Sequence, residues 1–411
     1  MRRKFAKGPR STDSHKFWMI APDHREGYLD TWRAIACLLV YFYHSAVNVS
    51  ILDVPFYGLQ GVNLFFVLSG YLLGLKFLPG LRGAGKLPEV IPYLCRRFIR
   101  IYPPYFVCLA VFTLLRYLSG TQPPTVGNWV ARATLIFNYL DRYDFLAING
   151  VFWSLAIEMQ FYLLLPVIGF AVHRVSRPGS IKPWLFAGVF LVTGMLSRFF
   201  EVGWVDHSAH GTIAVVRFRW AASYLDLFGV GILLRLIEDH FRMRVGHAGR
   251  IMSVLGLGTG VGILALAAKW THSAGLWDES RDLVYVTFCP LMVCLGFATL
   301  VGVTSVSNWR DSIPFRWSWL QWIGRISYSI YLYHTGVLYV FNRLSKISTW
   351  GLGWTEMCLI AAMASMPITL VVGWMAYRLV EVPCMQFRGW RSRAKVGFAF
   401  DEPGKLKLGK R

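Results

Sequence analysis

Residues 28–47 read YLDTWRAIACLLVYFYHSAV, a run long and apolar enough to cross a bilayer as one helix, yet it carries Asp30, Arg33 and His44. Arg33 and His44 are eleven positions apart. At about 100° per residue that is about three turns plus 20°, so both fall on one stripe, about 16 Å apart along the axis. Asp30, three positions before Arg33, falls near the same stripe. An ionisable side chain inside a spanning helix costs about 3 kcal/mol on insertion scales, so such groups face a protein interior or a wet cavity. This stripe is where chemistry is expected.

The remaining sequence carries the same pattern. Of its 411 residues 55% are hydrophobic and only 16% charged, with a mean hydropathy of +0.44, which excludes an ordinary soluble domain. Lys and Arg outnumber Asp and Glu by 43 to 22. That excess does not point to nucleic acid, because it collects between alternate apolar runs, as the positive-inside rule requires of a polytopic membrane protein.

Ten candidate spans follow, at 28–47, 58–78, 98–119, 151–172, 183–200, 217–237, 251–269, 283–304, 320–342 and 356–380. An even number places both termini on one side. Basic residues mark that side as cytoplasmic, with Arg2, Arg3, Lys4, Lys7 and Arg10 at one end and Arg391, Arg393, Lys395, Lys405, Lys407, Lys410 and Arg411 at the other. The expected fold is therefore all-α, with about ten transmembrane helices. A basic cytoplasmic segment (1–27) precedes a membrane domain (28–381), and a basic cytoplasmic tail (382–411) follows it. The first 27 residues lack a short apolar core before a cleavage site, so helix one is expected to remain as a signal anchor. Within the longest outward connection, 120–150, the stretch WVARATLIFNYL is too short to cross and is expected at the interface or as a re-entrant piece. The seven cysteines, Cys37, Cys95, Cys108, Cys289, Cys294, Cys358 and Cys384, show no zinc spacing and no disulfide framework, and read as small apolar packers.

Four later stretches carry polar side chains at helical spacing. In GLQGVNLFFVLSGYLLG, Gly58, Gly61, Gly70 and Gly74 permit close helix contact and Ser69 offers a hydroxyl. CRRFIRIYPPY sets Arg96, Arg97 and Arg100 at a cytoplasmic helix mouth, where guanidinium forks grip phosphate, with Pro103 and Pro104 disrupting or starting the helix. WSLAIEMQFYLLLP puts Ser154 and Glu158 on one face, at a depth where Glu158 is expected to meet His44 and orient it. ISYSIYLYH places Ser327, Tyr331 and His334 on a stripe, His334 being expected beside the base rather than as the base. Arg198, Arg217, Arg219 and Asp226 form a further charged set that would line the same cavity.

Taken in order, WRAIACLLVYFYH, GVNLFFVLSGYLLG, RRFIRIYPPY, WSLAIEMQFYLLLP and ISYSIYLYH resemble the acyltransferase-3 family of integral membrane acyltransferases, over about residues 28–383. The resemblance implies transfer of an acyl group, often acetyl, from cytoplasmic acyl-CoA to a hydroxyl of a sugar, glycan or glycolipid in a bacterial inner membrane. It assigns Arg33 and His44 as the family's first-helix pair, Arg96, Arg97 and Arg100 as its arginine cluster, and Glu158 as its acid. This chain departs from the family at Met159, where a second acid is common, and at Thr31 and Trp32, where glycine and leucine are common. The hydrolase-like extracytoplasmic domain of some members is not seen, so such a step would fall to a separate partner.

The expected enzyme uses acyl-CoA, with acetyl-CoA foremost, as donor substrate and holds no bound cofactor and no metal. His44 is its base, or alternatively a nucleophile. Arg33 and Glu158 assist it, and Arg96, Arg97 and Arg100 hold the CoA phosphates. Ser69, Ser154, Tyr331 and His334 stand around this set, and the other contacts are the bilayer and the acceptor. The competing class is a transporter or lipid-binding membrane protein with a polar path. No internal repeat is visible, which weighs against it.

Overall fold

A computed structural model describes residues 27–49, 60–82, 86–120, 125–140, 148–175, 181–204, 220–244, 249–274, 283–312, 314–345, 351 and 353–386. These residues form α-helices α1 (Gly27–Val49), α2 (Gln60–Leu81), α3 (Val90–Leu118), α4 (Val126–Ala133), α5 (Phe152–Val175), α6 (Ile181–Trp204), α7 (Leu225–Arg244), α8 (Arg250–Ala274), α9 (Leu283–Val306), α10 (Ser318–Ser345) and α11 (Trp354–Ala376), with no strand among them. A π-turn, Tyr377–Glu381, prolongs α11. The basic ends, 1–26 and 387–411, and the candidate residues Arg217, Arg219 and Gly58 lie outside the described residues.

Ten of these helices are long and each overlaps one of the ten expected spans, α7 running on to Arg244 past the expected 237, but among the described residues only seven are long and apolar enough to cross a membrane. The other three long helices, α1, α7 and α10, fall short on apolarity. Their buried or half-buried polar residues, including Arg33, His44, Asp226, Glu238 and His334, dilute the apolar signal. The polar helices stay inside the bundle. α1 lies along α10, α2 along α7, and helices such as α8, most of whose residues are not buried, face outward.

Two glycine contacts fix these central pairs. A Cβ on Gly324 would stand 1.8 Å from the Asp30 carbonyl oxygen, so α1 and α10 touch backbone to backbone. A Cβ on Gly70 would stand 2.0 Å from the Phe228 carbonyl, which does the same for α2 and α7. Gly74, by contrast, has ordinary room beside Arg235.

Two local expectations are revised. α3 begins at Val90, eight residues before the expected 98, so the arginines lie within the helix. Pro103 and Pro104 also lie inside α3 rather than breaking or starting it. The stretch after 120 becomes the short α4 and a 3-10 turn at Phe137–Tyr139. Thr125 caps α4 through the Asn128 amide (3.2 Å), and Gln160 on α5 ties the turn down through the Leu135 carbonyl (2.8 Å).

Candidate active site

α1, α2, α3, α5 and α10 wall one cavity of about 90 Å³. Arg33, Ser69, Arg97, Arg100, Ser154, Glu158, Tyr162, Ser327, Tyr328 and Tyr331 face it, among apolar neighbours such as Phe65 and Leu155. Since one water centre needs about 10–15 Å³, the space suits several waters or a slender chain, not a nucleotide. Most of the expected polar residues thus share one space. Arg96 is not among the residues lining it, because positions 97 and 100 are the pair that α3 turns toward the bundle.

Glu158 is held by two hydroxyls. Ser69 donates to its Oε1 at 2.8 Å, and Tyr162, one turn along α5, donates to the same oxygen. The Arg97 guanidinium sits 5.2 Å from the Tyr162 ring centre, a cation–π contact that joins the arginine step to the acid. Arg33 stands in the field of Asp30, Glu158 and Glu381, opposed by Arg100. One turn from Glu158, the Ser154 and Tyr331 hydroxyls share a 2.5 Å hydrogen bond, and both reach the Val151 carbonyl at 3.2 Å.

The expected pairing of Glu158 with His44 is not what the fold makes. No hydrogen bond joins them among the described residues; His44 instead meets His334, whose Nε2 is 3.1 Å from His44 Nδ1. The reason is packing. The contact of Gly324 with Asp30 sets α10, not α5, along the reactive face of α1, and ten to fourteen residues further on the two helices still run side by side. His334 is 1% exposed, and its ring centre is 4.9 Å from that of His44 and 5.8 Å from that of Tyr331. Polar side chains thus follow one another from Arg97 and Tyr162, through Glu158 and Ser69, to Ser154 and Tyr331; His44 and His334 are not among the residues lining the cavity and join this column through the Tyr331–His334 ring contact.

Arg198 and Asp226 do not line the cavity. They form a buried ion pair between α6 and α7, with Arg198 also donating to the Ser223 (3.0 Å) and Thr287 (2.7 Å) carbonyls. Of the cysteines, Cys37, Cys108, Cys289 and Cys294 are buried, while Cys95 is exposed, which removes it from the expected apolar packers.

Sequence reasoning passed over three residues. Tyr162 carried a usable signal, being four positions after Glu158 on one helix face. Tyr328 lies one step off the Ser327–Tyr331 stripe, yet its hydroxyl donates to the Ile101 carbonyl at 2.7 Å, clamping α10 to α3 beside Arg100. Glu381 sat at the expected domain edge. The π-turn brings it inside, 2% exposed, where Ser329 donates to it at 3.0 Å.

Comparison with known proteins adds to this geometry. Residues 26–378 match the acyltransferase-3 family model, described as an acyltransferase domain. Among curated proteins, the peptidoglycan O-acetyltransferase OatA of Listeria monocytogenes is 23% identical over 384 residues, covering 89% of this chain and 57% of the relative. The O-acetyltransferase OatA of Staphylococcus aureus is 26% identical over 393 residues, covering 93% of this chain and 60% of the relative. The chain thus spans less than two thirds of the length of these relatives. No solved structure matches.

Proposed function

This chain belongs to the acyltransferase-3 family, and from that premise we propose that it moves an acyl group, acetyl foremost, from cytoplasmic acyl-CoA to a hydroxyl of a sugar, glycan or glycolipid. Relatives named as O-acetyltransferases, one of them for peptidoglycan, support a cell-wall or surface glycan as the acceptor. The apolar helices and basic connections accord with a bacterial inner or plasma membrane, termini inward.

The observation that carries this reading is the polar column with arginines at one end and histidines at the other. The CoA phosphates dock at the mouth on Arg97 and Arg100, with Arg96 half-buried on the same helix but off the cavity lining. The narrow cavity admits only the pantetheine arm, which runs past Arg33 and Glu158. Ser69, Ser154 and Tyr331 offer it hydroxyl partners. Arg33 and His44, about 16 Å apart along α1, mark the length the arm covers.

At the far end the thioester meets the acceptor. His44 takes the proton of the attacking hydroxyl, whose oxygen bonds to the acyl carbon. The tetrahedral oxyanion collapses, the carbon–sulfur bond breaks, and the thiolate leaves with the proton from His44 as free CoA. The products are an ester and a thiol, and His44 returns neutral.

The test is thioester cleavage by the purified protein. With acetyl-CoA and peptidoglycan fragments, free thiol should appear together with acetylated fragment. Thiol release that never tracks an acetylated product would overturn the reading.

A further inference from the structure

The histidine pair fixes its own protons. His334 Nδ1 lies 2.8 Å from the Tyr331 carbonyl and 3.3 Å from the Ile330 carbonyl. Carbonyl oxygens only accept, so this nitrogen bears a hydrogen, and the neutral ring is left with a lone pair on Nε2. His44 Nδ1, 3.1 Å from that Nε2, is also 2.9 Å from the Val40 carbonyl, so it too bears a hydrogen, shared between the two acceptors. The lone pair of neutral His44 is then on Nε2, the ring atom farther from α1's backbone. Acceptors on α1 and α10 together specify one tautomer and one ring plane.

We infer that His334 is the positioning residue of the base: its Nε2 accepts from His44 Nδ1, holds the ring with Nε2 toward the acceptor, and shares the charge when Nε2 takes the proton. This inference rests on His44 being the base proposed above. His334 itself touches no reacting atom. Its Nδ1 hydrogen is committed to backbone carbonyls, and it is buried behind His44 against Tyr41 as well as Tyr331. The role expected of Glu158 thus passes to a neutral ring. That choice fits the burial of His334, because a carboxylate beside a buried imidazole adds a charge needing its own partners, whereas an imidazole acceptor adds none.

Two variants and one background separate positioning from structure. His334→Phe keeps a ring of similar size and removes the acceptor. His334→Gln restores an acceptor oxygen near the place of Nε2. With full-length protein in detergent, acetyl-CoA and peptidoglycan fragments, His334→Phe should lower kcat about tenfold or more while the KM for acetyl-CoA stays put. His334→Gln should recover much of that kcat. On a His44→Ala background, His334→Phe should remove nothing further from the residual rate, because it acts only through His44.

Wild-type kcat in His334→Phe overturns the inference. So does an additional loss on the His44→Ala background, which would make His334 an independent participant. Equal kcat losses in both variants, tracking a lower melting temperature, would make it structural and overturn it as well. A fully active His44→Ala protein would instead overturn the underlying assignment of the base, and the positioning role with it.

Discussion

The Ser69 hydroxyl donates to Glu158 Oε1 at 2.8 Å, which commits the half-buried acid of α5 to α2 and to the arginine end of the column. An orienter of His44 and a member of the donor channel fail differently when altered. Glu158→Gln keeps the size and most hydrogen bonds while removing the charge that faces Arg33. The geometry predicts a several-fold rise in the KM for acyl-CoA, about 1 kcal/mol, with turnover largely kept at saturation. Steady-state kinetics over a range of acetyl-CoA decide it: a fall in kcat with unchanged KM would return Glu158 to the role expected from sequence.

His44→Ala should cost about a hundredfold or more in turnover, the range of a general base, with expression and thermal stability close to wild type. Acetyl-CoA should still bind, because the arginine end is untouched. Turnover within a few-fold of wild type in a well-folded variant would remove His44 from the mechanism.

The amount legible in the sequence differs from helix to helix. Seven of the long helices were visible as strongly apolar runs, whereas α1, α7 and α10 carry enough polar side chains to weaken that signal. What the runs hide is which faces meet. Spacing placed Arg33 and His44 on one stripe of α1, but the choice of partner depended on Gly324 lying against Asp30, a backbone contact between residues 294 positions apart. A glycine in a helical run is compatible with many neighbours, so depth alone favoured the acid of α5. The same limit explains Glu381, whose burial follows from a π-turn with no clear sequence signature.

The Arg198–Asp226 pair is where structure and chemistry part company. With side chains 1% and 0% exposed, it is the most buried ion pair among the described residues and lies off the cavity. Removing one partner strands the other charge, at a cost of about 3–5 kcal/mol. Asp226→Asn should therefore lower the melting temperature in detergent clearly, while the surviving protein keeps a wild-type KM for acetyl-CoA. A changed KM with an unchanged melting temperature would place this pair in the substrate path after all.

The last prediction concerns adjacent arginines that sequence treats alike. Arg97 and Arg100 line the cavity and Arg97 stacks on Tyr162, whereas Arg96 lies outside the lining. If the CoA phosphates dock at this mouth, Arg97→Ala should weaken donor binding by about 1–3 kcal/mol, the scale of a charge-assisted hydrogen bond. Arg97→Lys should recover only part, since lysine keeps the charge but loses the bidentate fork and the flat face on Tyr162. Arg96→Ala should cost distinctly less. An acetyl-pantetheine donor, which lacks the nucleotide, should erase the difference among all three variants, because no nucleotide phosphate remains to be gripped. Isothermal titration of CoA into the purified variants reads the first part, and kinetics with the truncated thioester read the second. Equal affinities for wild type, Arg96→Ala and Arg97→Ala would mean that these charges only orient the helix, and that the donor phosphates bind elsewhere.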